Sequence, residues 1–220
     1  MRNVWLMFIS LLAAGFCISL VFAQDSERNR FFVQQMIDLA AAGNQQGVQT
    51  MQRMLEQNSR PTALDPAAAN ASVQWGQAAL QQDRLDEALK AFQQAVQDDS
   101  GHVEAFNHLG LLYRKLNRFI DAERALQQAL SLEPTRAGAW FQLAQIYGLQ
   151  NDQRRAVGAL ANTYLYAQNP MKAEEILRYI AEDEAVDALR NAALETLHLY
   201  HLPAQPAIVP PLAPNPALFK

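Results

Sequence analysis

The sequence predicts an all-α fold, a solenoid of stacked antiparallel helix hairpins. Three observations predict it. Small and bulky residues recur with a period of 34 from residue 69 onward, which marks stacked supersecondary units. Within each period the apolar residues step by three and four, the spacing of one helix face. The composition is rich in alanine, leucine and glutamine, with only 9 glycines in 220 residues, and this favours helix over strand.

The chain opens with a targeting pattern. Arg2 is followed by an uncharged run, almost wholly apolar from Val4 to Leu20, and Val21-Phe22-Ala23 offers a cleavage site before Gln24. Residues 1–23 therefore read as a secretory signal. The same run is long enough to stay as a membrane tether over residues 3–23. In either form the lone basic residue keeps the N-terminus cytoplasmic and sends the remainder across. The expected location is periplasmic or secreted after cleavage, or else anchored in the inner membrane with the folded part outside the cytoplasm.

Residues 27–58 read as an N-terminal helical hairpin. Phe32, Met36 and Leu39 share one face of its first helix, and Val48, Met51 and Leu55 one face of its second, with a turn at Gly43-Asn44. A breaker-rich linker follows, and Pro66 is suited to the first turn of the next helix.

The array over 66–201 begins with three windows, 69–102, 103–136 and 137–170. Gly76, Gly110 and Ala144 occupy one recurring position, Asp83, Asn117 and Asn151 another, and Ala88, Ala122 and Ala156 a third. Phe92, Leu126 and Leu160 recur four residues later. Phe106, Leu109, Gly110 and Tyr113 make one stripe of a first helix, and Ala122, Leu126 and Ala129 one stripe of a second. Gly110 and Ala122 have little or no side chain, so the paired helices approach closely there, and the bulkier neighbours fill the flanking holes. Asp83, Asn117 and Asn151 suit helix ends and caps. Pro134 stops the second helix.

This pattern resembles the tetratricopeptide repeat (TPR) family, most completely at Phe106, Leu109, Gly110, Tyr113, Ala122, Leu126, Ala129 and Pro134. The first window departs from it at Ser72 and Trp75. After Leu160 the phase shifts by half a repeat. Val157, Leu160, Ala161 and Tyr164 read as a first helix, Ala173, Leu177 and Ile180 as its partner, and residues 184–201 as a cap. This ending is similar to the repeat region of periplasmic zinc metallopeptidases that assist outer-membrane assembly, without their H-E-x-x-H helix. The tail over 202–220 contains six of the ten prolines and reads as extended.

Little in the chain suggests catalysis. Cys17 is the one cysteine and lies in the leader, so disulfides and cysteine chemistry are excluded from the folded part. With 18 basic against 22 acidic residues there is no cationic excess for nucleic acid. Glu195, His198 and His201 follow one another at i, i+3, i+6, but a metal site in a bundle needs carboxylates on facing helices, and no second such motif exists. No phosphate loop is present. The chain is expected to be non-enzymatic and free of cofactors.

The resemblance implies that first helices line a concave face. The residues beside the core stripe there are Gln74 and Gln77, then Asn107 and His108, then Phe141, Gln142 and Gln145. The lysines and arginines with which many TPR domains grip a terminal carboxylate are missing from this set. Amides can serve a peptide backbone as both donor and acceptor. The expected function is an adaptor or scaffold of the cell envelope that holds a protein or peptide segment. The alternative is a structural protein that self-assembles through its repeat edges.

Overall fold

The computed structural model describes residues 26–202. The stretch read above as a signal or tether and nearly all of the proline-rich tail lie outside the described residues, among which no helix is long and apolar enough to cross a membrane.

Residues 26–41 form helix α1. It is followed by α2 (Gln45–Glu56), α3 (Pro66–Gln81), α4 (Leu85–Asp98), α5 (Val103–Lys115), α6 (Phe119–Leu132), α7 (Ala137–Leu149), α8 (Gln153–Leu165), α9 (Pro170–Asp183) and α10 (Asp187–Leu199). The fold is all-α, a TPR-like solenoid. Helices α3 and α4, α5 and α6, and α7 and α8 pair as hairpins, and each hairpin packs on the next through α4 with α5 and α6 with α7.

The turns repeat as strictly as the helices. Asp83, Asn117 and Asn151 each adopt a left-handed conformation, with φ of 55°, 56° and 59°. Short polar side chains tolerate that region better than others. In each turn two amides return to the end of the preceding helix. Arg118 donates to the Tyr113 carbonyl at 2.8 Å and Asn117 to that of Arg114 at 3.0 Å. This six-to-one and five-to-two pattern satisfies carbonyls that a helix end leaves free. Gly43 (φ 70°) builds the same turn between α1 and α2.

The close-approach positions are as tight as their side chains imply. A Cβ on Gly76 would lie 2.6 Å from the Phe92 ring, and one on Gly110 would lie 2.5 Å from Cγ of Leu126. Gly110→Leu is therefore expected to separate α5 from α6 and to cost about 1–3 kcal/mol. An unchanged denaturation midpoint would show that the two helices do not meet there.

Two features depart from a simple stack. The half-repeat phase pairs α8 with α9, yet α9 touches α8 only lightly and packs on α10. Helix α10 takes the slot beside α7 and α8. Leu189 lies against Gly148, where a Cβ would come within 2.7 Å. Tyr200 meets Tyr164 with ring centroids 4.6 Å apart, so α8 and α10 run parallel with their C-terminal ends together.

The second feature is the place of α1 and α2. They lie against the second helices of the last two repeats. Gly158 on α8 faces the backbone of α1, and Asn162 donates from Nδ2 to the Met36 carbonyl at 3.2 Å. Tyr166 donates to Gln52 of α2 at 2.9 Å, and Arg154 pairs with Asp38 at 3.5 Å. Val33, Met36, Ile37, Ala40, Val48 and Leu55 are buried in one core with residues of α6, α7 and α8. The linker then returns along the repeat edge, where Leu64 and Asp65 both donate to the Asp98 carbonyl.

Candidate functional site

Helices α3, α5 and α7 stand side by side, and their amide and imidazole side chains form a ladder across them. Gln77 and His108 meet at 2.8 Å, and Asn70 and His102 at 3.2 Å. Gln142 donates to Asn107 at 3.3 Å. Arg136 reaches Glu104 at 3.3 Å, and His108 lies 3.7 Å from the same carboxylate. Apart from the His108–Glu104 contact within α5, each joins residues 31 to 35 apart in sequence, so the repeats hold the three helices in register.

The seven candidate residues divide by exposure. Gln74 is exposed, and Gln77, Asn107, His108 and Gln145 are half-buried. The imidazole of His108 stacks on the Phe92 ring with centroids 4.9 Å apart, so it belongs partly to the repeat core. Phe141 is 4% and Gln142 7% exposed. Neither presents much surface to a ligand. The reason is local: α7 is enclosed by α5, α6, α8 and α10, and nearly every residue along it is buried. The accessible surface is thus made by α3, by α5 and by Gln145.

Arg114 extends this surface beyond the stripe read from sequence. It follows Asn107 by seven residues and Leu111 by three, so all three share one face of α5. It is half-buried, its Nε has no hydrogen-bond partner, and burial holds its guanidinium below the ordinary arginine pKa. The next residue, Lys115, pairs with Asp83 at 3.5 Å.

A charged network joins the second and third repeats. Arg155 contacts Asp152 at 2.6 Å and Glu123 at 3.0 Å, and the Tyr147 hydroxyl donates to Glu123 at 3.0 Å. Burial pushes the Tyr147 phenol up, and the Glu123 carboxylate adds to the effect. Burial also opposes ionisation of Asp152, but its bonds from Arg155 outweigh that and hold its carboxyl below the usual range. These groups fix the junction and are committed to one another.

Glu195, His198 and His201 do not form a cluster of metal-ligating side chains among the described residues, and the one bond within the set is from the His201 amide to the His198 carbonyl at 3.1 Å. Glu195 accepts from Gln153 at 3.2 Å, His198 is exposed, and His201 lies just past α10 at φ 55°.

Two sequence models described as tetratricopeptide repeat match the chain, one over residues 39–103 and the other over 79–140. Residues 39–140 carry TPR repeats. The curated proteins include a relative 34% identical over 102 residues, the peroxisomal targeting signal receptor of Kluyveromyces lactis. The match covers 46% of this chain and 17% of that protein. Among solved structures, that of MamA protein superposes with a TM-score of 0.50 at 19% identity, covering 84% of this chain and 99% of that one. At that identity the likeness concerns the TPR fold alone.

Proposed function

We propose that this TPR protein is a non-catalytic adaptor of the cell envelope, exported through residues 1–23, whose inner face holds a segment of another protein. The observation that carries the reading is the division of its two faces. The outer face of the last two repeats is already occupied by α1 and α2. The inner face offers Gln74, Gln77, Asn107 and Gln145, amides that match the donors and acceptors of a peptide backbone. The relative named as a targeting signal receptor lends support, since a targeting signal is a peptide segment. The envelope setting draws on the apolar leader and on the likeness of the C-terminal half to periplasmic assembly factors.

A photo-reactive p-benzoylphenylalanine at Gln74 or Gln145 is expected to cross-link one discrete partner in the source cells. The same group at Lys90 or Arg124, on the outer helices, is expected to yield none. Equal labelling from both faces would contradict the reading.

One observation favours self-assembly as a second reading. Trp75 is 56% exposed at the position where the later repeats bury Leu109 and Leu143. The edge of α3 therefore has no repeat stacked on it among the described residues. A monomer by light scattering at micromolar concentration would remove this alternative.

A further inference from the structure

We infer that the end of the N-terminal hairpin nearest the apolar leader lies on an anionic phospholipid surface, a proposal that rests on the reading of residues 1–23 as a signal or tether that enters a bilayer. Two contacts set the register of α1 against α2. A Cβ on Gly47 would meet the Leu39 side chain at 2.9 Å, and Asn58 donates to Asn29 at 2.8 Å. The start of α1 and the end of α2 are therefore neighbours, which brings Phe31 and Met54 to one level of the hairpin. Both are large apolar side chains left in solvent, 57% and 45% exposed. By helical spacing Phe31 lies opposite the buried stripe of Val33, Met36, Ile37 and Ala40. Four arginines stand at the same end. Arg28 donates to Asn58 at 3.1 Å, and Arg30 lies 3.9 Å from Glu27. Arg53 is exposed in the last turn of α2, and Arg60 is exposed just beyond it.

Residues 26–60 carry four basic and three acidic groups, whereas residues 61–220 carry 13 basic and 18 acidic. Of the three acids, Glu27 and Glu56 share the arginine end, and Asp38 is two turns away and pairs with Arg154. This end is thus cationic on a chain whose remainder is acidic. The apolar leader ends at Ala23 and α1 begins at residue 26. An extended link of that length reaches about 10 Å, so a leader inside a bilayer holds the arginines at the headgroups. There the guanidinium groups can pair with lipid phosphate, while Phe31 and Met54 enter the acyl boundary. A protein partner would use the same cations without needing the leader beside them.

The test uses the full chain with Cys17→Ser and a single new cysteine, Gln57→Cys at the arginine end or Ala42→Cys at the other end of the hairpin. Each is labelled with nitrobenzoxadiazole and reconstituted into vesicles that carry a nitroxide on a fraction of their headgroups. The vesicles are phosphatidylcholine, with or without phosphatidylglycerol. With phosphatidylglycerol, the label at residue 57 is expected to be quenched at least about threefold more than the label at residue 42. Phosphatidylcholine alone is expected to bring the two labels level, and so is Arg30→Gln with Arg53→Gln, whose helix content circular dichroism checks. The lipid comparison tests the charge without any substitution. Equal quenching of the two labels with phosphatidylglycerol, or a difference that persists without it, would overturn the proposal. A chain that floats with the vesicles while neither label is quenched would also overturn it, leaving the leader reading intact and the patch to a protein. A chain that does not float with vesicles of either kind would overturn both.

Discussion

Gly158→Leu is expected to release the N-terminal hairpin from the repeats. A Cβ at this position would come 2.1 Å from the Ile37 carbonyl oxygen and 2.8 Å from its carbon. These are backbone atoms of a helix, so no side-chain rotation can relieve the clash. The substitution should cost about 3 kcal/mol, the upper end of ordinary overpacking. Gly158→Ala makes the sharper comparison. In an open helix interior alanine stabilises by about 1 kcal/mol over glycine. Here it should destabilise, because α1 occupies the space. Hydrogen exchange locates the effect: amides of α1 should lose protection while those of α5 keep theirs. A gain in stability from Gly158→Ala would mean that α1 does not lie there.

Trp140→Ala should be the most damaging single truncation in the array. The ring is fully buried, and its Nε1 donates to the Pro134 carbonyl at 2.8 Å. It thereby ties the start of the third repeat to the turn that closes the second. Removing it leaves a large cavity and an unpaired carbonyl, a cost of about 3–5 kcal/mol. For a chain of this size the melting midpoint should fall on the order of 10 °C. Trp140→Phe keeps most of the volume and loses only the hydrogen bond, so its cost should be about 1–2 kcal/mol. Thermal unfolding followed by circular dichroism distinguishes the two. Equal, small effects would place the indole outside the core.

The all-helical solenoid was legible because its cause is periodic. Gly76, Gly110, Phe92 and Leu126 stand 34 apart, and each meets its partner inside one hairpin. The places of the three turns were equally readable from Asp83, Asn117 and Asn151, and the structure adds their left-handed conformation. Long-range docking has no such period. Nothing in α1 alone states that it will fold back across more than a hundred residues onto α8. The repeats did contain a signal. The outward row reads Lys90, Arg124, Gly158, and the row one turn on reads Gln94, Gln128, Asn162. A long cation gives way to glycine only in the third repeat, where a backbone must come close.

The candidate site was legible in part. The register that places Gln74, Gln77, Asn107 and Gln145 along the neighbouring helices α3, α5 and α7 follows from the repeat. The burial of Phe141 and Gln142 does not, because it depends on how α10 closes against α7. Arg114 escaped notice for a different reason. An arginine near a helix C-terminus is ordinary in sequence, and only its half-burial with an unbonded Nε sets it apart.

The direct test of the whole arrangement is a cross-link between α1 and α8. Asp38 and Arg154 form an ion pair across that junction. In a Cys17→Ser chain carrying Asp38→Cys and Arg154→Cys, a short bis-maleimide should give a fast, intramolecular product at high yield. Adding Gly158→Leu should abolish it. If the reagent joins only separate chains, or joins nothing, the hairpin is not seated on the outer face and the account of which surface is left for a partner fails.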